Sequence, residues 1–364
     1  MGDPSYEIIP YRHEHRDEVL DVMGYLWGVR GEMAESYFQW KYLENPARVD
    51  PPGMVAIHGG KVVAFRGYFP NRWTLLGRKL VILSPCDTCV DPAHRRRGLS
   101  VRMGYEAMVQ YAGNHRFFLN LSSSESSLPG YKKMGFFPLV PRTSAVKYTT
   151  REYIRLGFRK VGLHGLGEYL SRCRHLELSG QSHPSGSYRV QTTGETLPVE
   201  MAEIIAASPG GGRLQLDRDS DLYAWRFRNP RRTYAFHYLI EGSQPVAFVA
   251  MRLAPKNQGD ILDYGGSAKE LEILIRSVLG SGFYRSLSTW DFALRDGIGP
   301  CLGSLGFVKA AFPDFLRSSS KMEDLPLLLR PVRAESEEQD WFIGEVDLRR
   351  KENWQISGIC SEAY

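Results

Sequence analysis

The stretch of this chain that most constrains its fold runs from Val90 to Ser100, Val-Asp-Pro-Ala-His-Arg-Arg-Arg-Gly-Leu-Ser. An apolar run over 79–89 precedes it, and Met103, Ala107, Met108 and Tyr111 follow at helical spacing. The segment therefore reads as a strand that opens through a small, basic loop into a helix. The first amides of a helix lack partners within the helix and point outward. Gly98 lets the backbone approach a ligand closely, and Arg95, Arg96 and Arg97 add positive charge. A pyrophosphate suits such a place.

A second pattern lies about a helix and a strand further on: Ser124, Ser127, Tyr131, Gly135 and Phe136. Together the two patterns resemble the GNAT superfamily of acyl-CoA-dependent N-acyltransferases, whose pyrophosphate loop reads V-x-P-x-x-[RQ]-x-x-G-x-[GA]. Val90, Pro92, Arg95 and Gly98 fall at the family spacing, Ser100 replaces the usual Gly or Ala, and Ser124 stands where Asn is common. The resemblance implies an α/β fold with a central mixed β-sheet flanked by helices. It implies acetyl-CoA or another acyl-CoA as co-substrate, held by Cys89, Val90, Arg95, Arg96, Arg97, Gly98, Leu99, Ser100, Ser124, Ser127 and Tyr131. The thioester is then expected in the notch where two central parallel strands splay, which agrees with ligand placement in open α/β sheets.

Composition bounds the rest. At 364 residues the chain suits two domains of ordinary size, and 43% hydrophobic with 12% aromatic residues is enough for packed cores. A net charge of +5 favours an anionic ligand such as CoA over duplex nucleic acid, which would want a concentrated basic face. Five cysteines, an odd number, argue for a reducing compartment. Cys86 and Cys89 form a C-x-x-C, but no second pair follows at zinc spacing, so no metal is expected. The N-terminus shows no basic and apolar leader pattern and no apolar run is long enough to span a bilayer, so the expectation is a cytoplasmic protein without a transmembrane segment.

Along the chain, a Gly59-Gly60 turn and a further turn near Gly77 predict successive β-hairpins before the anion loop. Residues 151–175 alternate Arg and Lys with apolar positions, a basic amphipathic stretch that reads as a connector or as a surface for an anionic membrane or RNA. Residues 179–186, rich in Ser, Gly and Pro, read as a linker. The second half then repeats the first weakly. Trp225 and Asn229-Pro230 answer Trp40 and Asn45-Pro46, the tryptophans 185 residues apart, and Gly306-Phe307 answers Gly135-Phe136. The expected organisation is two tandem GNAT-like domains: a CoA-binding catalytic domain (1–150), a basic connector (151–186), a degenerate second copy (187–320) and a C-terminal strand and tail (321–364). The second copy has no Arg-x-x-Gly loop after its strand near 261–266, which predicts no CoA there. Within the tail, 340–344 reads as a last strand and the polar residues after it are expected to fray.

Acyl transfer to an amine needs a base for the ammonium, polarisation of the thioester carbonyl and an acid for the leaving thiolate. Asp87 and Glu125 are the candidate bases, ahead of His94 and His115; Asp87 has an alternative role in pairing with an arginine such as Arg66, and Glu125 in capping a helix. The resemblance makes Tyr131 the general acid, a phenol that stays neutral at pH 7; packing against the pantetheine arm is its alternative role. A small-molecule amine is the expected acceptor. Two rivals stand beside this reading: a Fem-type transferase that takes its aminoacyl group from charged tRNA, and a non-catalytic CoA-binding or scaffold protein.

Overall fold

The computed structural model describes residues 5–185, 187–207, 211–309 and 325–363. The first half runs through β1 (Glu7–Pro10), α1 (Arg16–Trp27), α2 (Glu32–Phe38), β2 (Gly53–His58), β3 (Lys61–Leu75), β4 (Arg78–Val90), α3 (Leu99–Tyr111), β5 (Phe117–Asn120), α4 (Leu128–Lys133), β6 (Phe137–Pro141) and β7 (Ser144–Tyr148). A helical hairpin follows, α5 (Thr150–Lys160) and α6 (His164–Leu170). The second half has β8 (Gln181–Ser185), β9 (Tyr188–Thr193), α7 (Pro198–Ala206), β10 (Leu214–Leu216), α8 (Ser220–Arg226), β11 (Tyr234–Glu241), β12 (Gln244–Ala254), β13 (Gln258–Gly265), α9 (Ala268–Gly280), β14 (Ser286–Trp290), α10 (Ile298–Ser304), β15 (Val308–Lys309) and β16 (Pro326–Pro331).

The hairpins form where the sequence supplies positive φ: Gly59 and Gly60 at 59° and 77°, Leu76 and Gly77 at 50° and 78°. Two consecutive positive φ values give the turn whose twist matches paired strands. The principal sheets have one plan. The first runs β1-β2-β3-β4-β5-β16-β6 and the second β8-β9-β11-β12-β13-β14-β7-β15, each antiparallel except for one central parallel pair, β4/β5 and β13/β14.

Two strands lie across the expected boundaries. Residues 144–148, counted with the first unit, pair with β14 and β15 in the second sheet. Residues 326–331, counted with the tail, pair with β5 and β6 in the first. Each sheet thus completes the place beside its parallel pair with a strand from the other half. The 179–186 linker is also revised, because 181–185 pairs with β9 as an edge strand; backbone pairing at an edge does not demand an apolar sequence. The boundary at 320/321 lies outside the described residues.

The halves meet at the repeated tryptophans. Trp40 and Trp225 stack at 5.2 Å and 15°, and each indole N–H donates to the other's carbonyl, at 3.0 and 2.8 Å. Asn45 and Asn229 make the same turn, each side-chain oxygen accepting the amide two residues on.

The tail overturns the expectation of fraying. Phe342–Ile343 does form a short strand, paired with Val346–Asp347. Beyond it Trp354, Ile356, Ile359 and Cys360 are buried, and residues 354–355 pair with β10, which itself pairs with β3. The Asn71 side chain donates to the Cys360 carbonyl at 2.9 Å and Arg226 to that of Ser361 at 2.6 Å. Apolar side chains among the polar ones, with backbone carbonyls satisfied by buried donors, fix this segment.

Candidate active site

The 90–100 stretch is a strand end, a loop and a helix start, as the sequence predicts. The Asp91 carboxylate accepts the Ala93 amide at 2.8 Å and Arg95 Nε donates to the Val90 carbonyl at 3.1 Å. Arg96 and Gly98 have φ of 63° and 72°, so the chain doubles back before α3. Gly98 is the N-cap of α3, no side chain caps that end, and a Cβ on Gly98 would meet nothing within 4 Å. Arg95, Arg96 and Arg97 are exposed around this open helix start, and Leu99 is buried beneath it. Arg66, from β3, fixes the loop from below by donating to the Ser100 carbonyl at 3.1 Å. A helix start that no side chain caps, with three exposed arginines around it, fits a pyrophosphate.

The equivalent end in the second half is closed. Ser267 and Glu270 form a capping box at the start of α9, the Glu270 carboxylate accepting the Ser267 amide at 2.7 Å. A carboxylate already satisfies that helix end and would repel a phosphate.

β4 and β5 share a single register pair, Leu83 with Phe118, and their ladder is not continued toward Val90. Asn120 bridges the gap by donating to the Pro85 carbonyl at 3.1 Å. Tyr131 is buried beside it, its ring edge-on to Phe136 and 5.2 Å from the Arg66 guanidinium. Burial raises the Tyr131 pKa above its ordinary value of 10, with Arg66 pulling the other way. The phenol is therefore held protonated at neutral pH.

The other expected site residues divide. Asp87 sits on an irregularity of the β3/β4 ladder with φ of 44°. Its partners are Lys41 and Tyr42, whose Nζ and hydroxyl both reach Oδ2 at 2.7 Å. The pairing with Arg66 weighed from the sequence is not made. Lys41 is 1% exposed; burial works against its charge, and Asp87 prevails to hold its pKa well above the ordinary value. Asp87 is thus committed to a buried ion pair. Both residues that grip it come from a π-helical turn, Gln39–Leu43, that continues α2. Such turns offer a side chain an angle that an α-helix does not.

Glu125 is exposed in the turn before α4, apart from the buried cluster. Ser124 and Ser127 bond chiefly to each other, the Ser124 amide donating to Ser127 Oγ at 2.9 Å and the two hydroxyls lying 3.1 Å apart. Cys89 is buried, its thiol donating to the Val22 carbonyl at 3.2 Å.

Sequence reasoning missed Glu362. The tail brings it to the C-terminal end of β5, where Ser122 Oγ donates to its Oε1. It is 5% exposed, and its Oε2 is buried with no hydrogen-bond partner among the described residues. Burial is the largest influence on the pKa of Tyr131, Cys86 and Lys41, upward for the first two and downward for the lysine, and the Glu362 carboxylate adds an upward push on each. Tyr131 and Glu362 thus lie in one electrostatic neighbourhood at the strand notch. The apolar residues Trp354, Ile356 and Ile359 are the signal in the sequence that this tail packs, though none marks Glu362 itself.

Residues 7–138 match a family model described as acetyltransferase (GNAT) domain. Among solved structures, a GCN5-related N-acetyltransferase from Anabaena variabilis aligns at TM-score 0.58 and 11% identity, covering 90% of this chain and 73% of that one. A GCN5-related N-acetyltransferase from Kribbella flavida aligns at 0.55 and 13%, covering 90% and 72%. Eis1 from Mycobacterium abscessus aligns at 0.52 and 13%, covering 90% and 73%. No curated protein sequence matches. At these identities the structural likeness establishes the fold alone, an architecture shared over most of the chain, and residues 7–138 are the part that matches the GNAT domain model.

Proposed function

We propose that this chain, with its GNAT domain at 7–138, is an acyl-CoA-dependent N-acyltransferase acting on a small-molecule amine. The observation that carries the reading is a buried protonated phenol, Tyr131, in the electrostatic neighbourhood of a buried carboxylate, Glu362, whose Oε2 has no partner among the described residues, in the same half as a helix N-terminus that no side chain caps. The α3 amides and Arg95–Arg97 hold the pyrophosphate. Bound acyl-CoA supplies a thioester carbonyl and a thiolate leaving group. Glu362 takes the proton of the acceptor ammonium, so that the free amine attacks the carbonyl carbon, and Tyr131 gives its proton to sulfur as the C–S bond breaks. Glu362 stands in place of Asp87 and Glu125 as base, since Asp87 is held in an ion pair with buried Lys41 and Glu125 is exposed. The second half, its helix end capped by Glu270, serves as a wall for the acceptor side.

Calorimetric titration with acetyl-CoA, in wild type and Arg95→Ala/Gly98→Glu, tests the cofactor site. Binding that disappears in the double variant supports the loop; equal binding in both removes it. A panel of amines with acetyl-CoA then tests turnover. Glu362→Gln is expected to lower kcat by about 10²-fold or more while leaving acetyl-CoA affinity unchanged, and full turnover in that variant would rule out Glu362 as the base.

A further inference from the structure

The α5–α6 hairpin is patterned inside out. Its buried positions are Glu152, 3% exposed, and Gly167. The Glu152 carboxylate accepts from Arg155 Nε at 2.9 Å within α5, and Glu168 of α6 accepts from Arg285, the residue before β14, at 2.7 Å, so an ion pair ties the hairpin to the second sheet. A Cβ on Gly167 would come within 2.7 Å of Phe158, which shows how closely the two helices pack. Ile154, Leu156 and Phe158 are half-buried, and the other apolar side chains face solvent: Val161, Tyr169 and Tyr153 are 68%, 64% and 62% exposed, with Leu163, Leu166 and Leu170 also exposed. Seven of the fifteen exposed large apolar side chains among the described residues fall between 153 and 178. The charge is concentrated here too. Residues 151–174 carry six arginines or lysines against two glutamates, a net +4 of the +5 on the whole chain, and both glutamates are spent in ion pairs.

We propose that this hairpin docks the protein flat onto an anionic lipid surface. Exposed tyrosines and leucines suit the boundary between headgroups and acyl chains, and arginines around them suit anionic headgroups. Charge decides against a second copy as the occupant, since two faces of net +4 would repel. No helix among the described residues is long and apolar enough to cross a membrane, so docking is superficial.

Sedimentation of the full chain with phosphatidylcholine vesicles, with and without phosphatidylglycerol, is the test. Expected is binding to the anionic vesicles alone, weakened at least about tenfold on raising salt from about 0.05 to about 0.5 M. Arg159→Glu/Arg172→Glu and, separately, Leu166→Asn/Tyr169→Asn should each lower partitioning about tenfold or more with an unchanged thermal midpoint. Absence of binding to anionic vesicles overturns the proposal, as does binding that both double variants retain. So does a self-association of the wild type that Leu166→Asn/Tyr169→Asn abolishes, because the face would then belong to a second copy.

Discussion

Tyr131 stands where burial and the Arg66 guanidinium work against each other, and burial prevails. A phenol kept protonated at neutral pH can donate to a leaving thiolate. Tyr131→Phe removes the proton and leaves the ring contacts with Phe136 and Arg66. The expected result is a kcat loss of about 10²- to 10⁴-fold with acetyl-CoA affinity unchanged, measured by steady-state kinetics beside calorimetry; a matching loss of affinity would show that the ring only packs the ligand. Gly67 illustrates a different dependence. A Cβ there would lie 2.0 Å from the Tyr42 hydroxyl, the group that donates to Asp87. Gly67→Ala must therefore push Tyr42 off Asp87, and should cost about 1–3 kcal/mol in denaturant unfolding.

At the scale of elements, legibility followed locality. The anion loop, its helix and the Gly59-Gly60 hairpin were readable because each depends on residues adjacent in sequence: a positive φ at Gly98, a pair of glycines, apolar residues at helical spacing. Glu362 was not, because it meets Ser122 across 240 residues and no local pattern marks a carboxylate that a tail will carry into a notch. Asp87 was found as a residue but its partners were not, since a π-helical turn aims Lys41 and Tyr42 at it and ordinary helical spacing does not predict that angle. The second sheet hides a titrating group of its own. His237 on β11 is buried between Thr192 and the Tyr284 hydroxyl, at 2.9 Å each, and burial lowers its pKa from 6.5 to about 3. The unfolded chain binds this proton more readily than the folded one. The contribution is therefore complete above about pH 6.5 and is lost as the pH falls toward about 3, with about 2 kcal/mol gone by about pH 5. Denaturant titrations across that range should show the slope, and His237→Asn should flatten it.

The exchange of strands makes the two halves one folding problem. β16 presents Leu327, Leu328 and Leu329, all buried, between β5 and β6, and β7 performs the same service between β14 and β15. A sheet deprived of such a strand exposes two edges and an apolar strip. Trp40 and Trp225, each bonded to the other's backbone, add a buried contact that neither half can satisfy alone. A division at 150, which the sequence suggests from its repeat, therefore cuts through both sheets. A fragment of residues 1–150 is expected to lack a cooperative thermal transition and to aggregate, followed by circular dichroism and size exclusion, whereas the whole chain should unfold in one transition. Adding a peptide of residues 325–363 should partly restore the fragment, since it returns β16 to the first sheet and Glu362 to Ser122. Cooperative unfolding of 1–150 alone would mean that β5 and β6 can close on each other, and that the exchanged strand is dispensable to the site it borders.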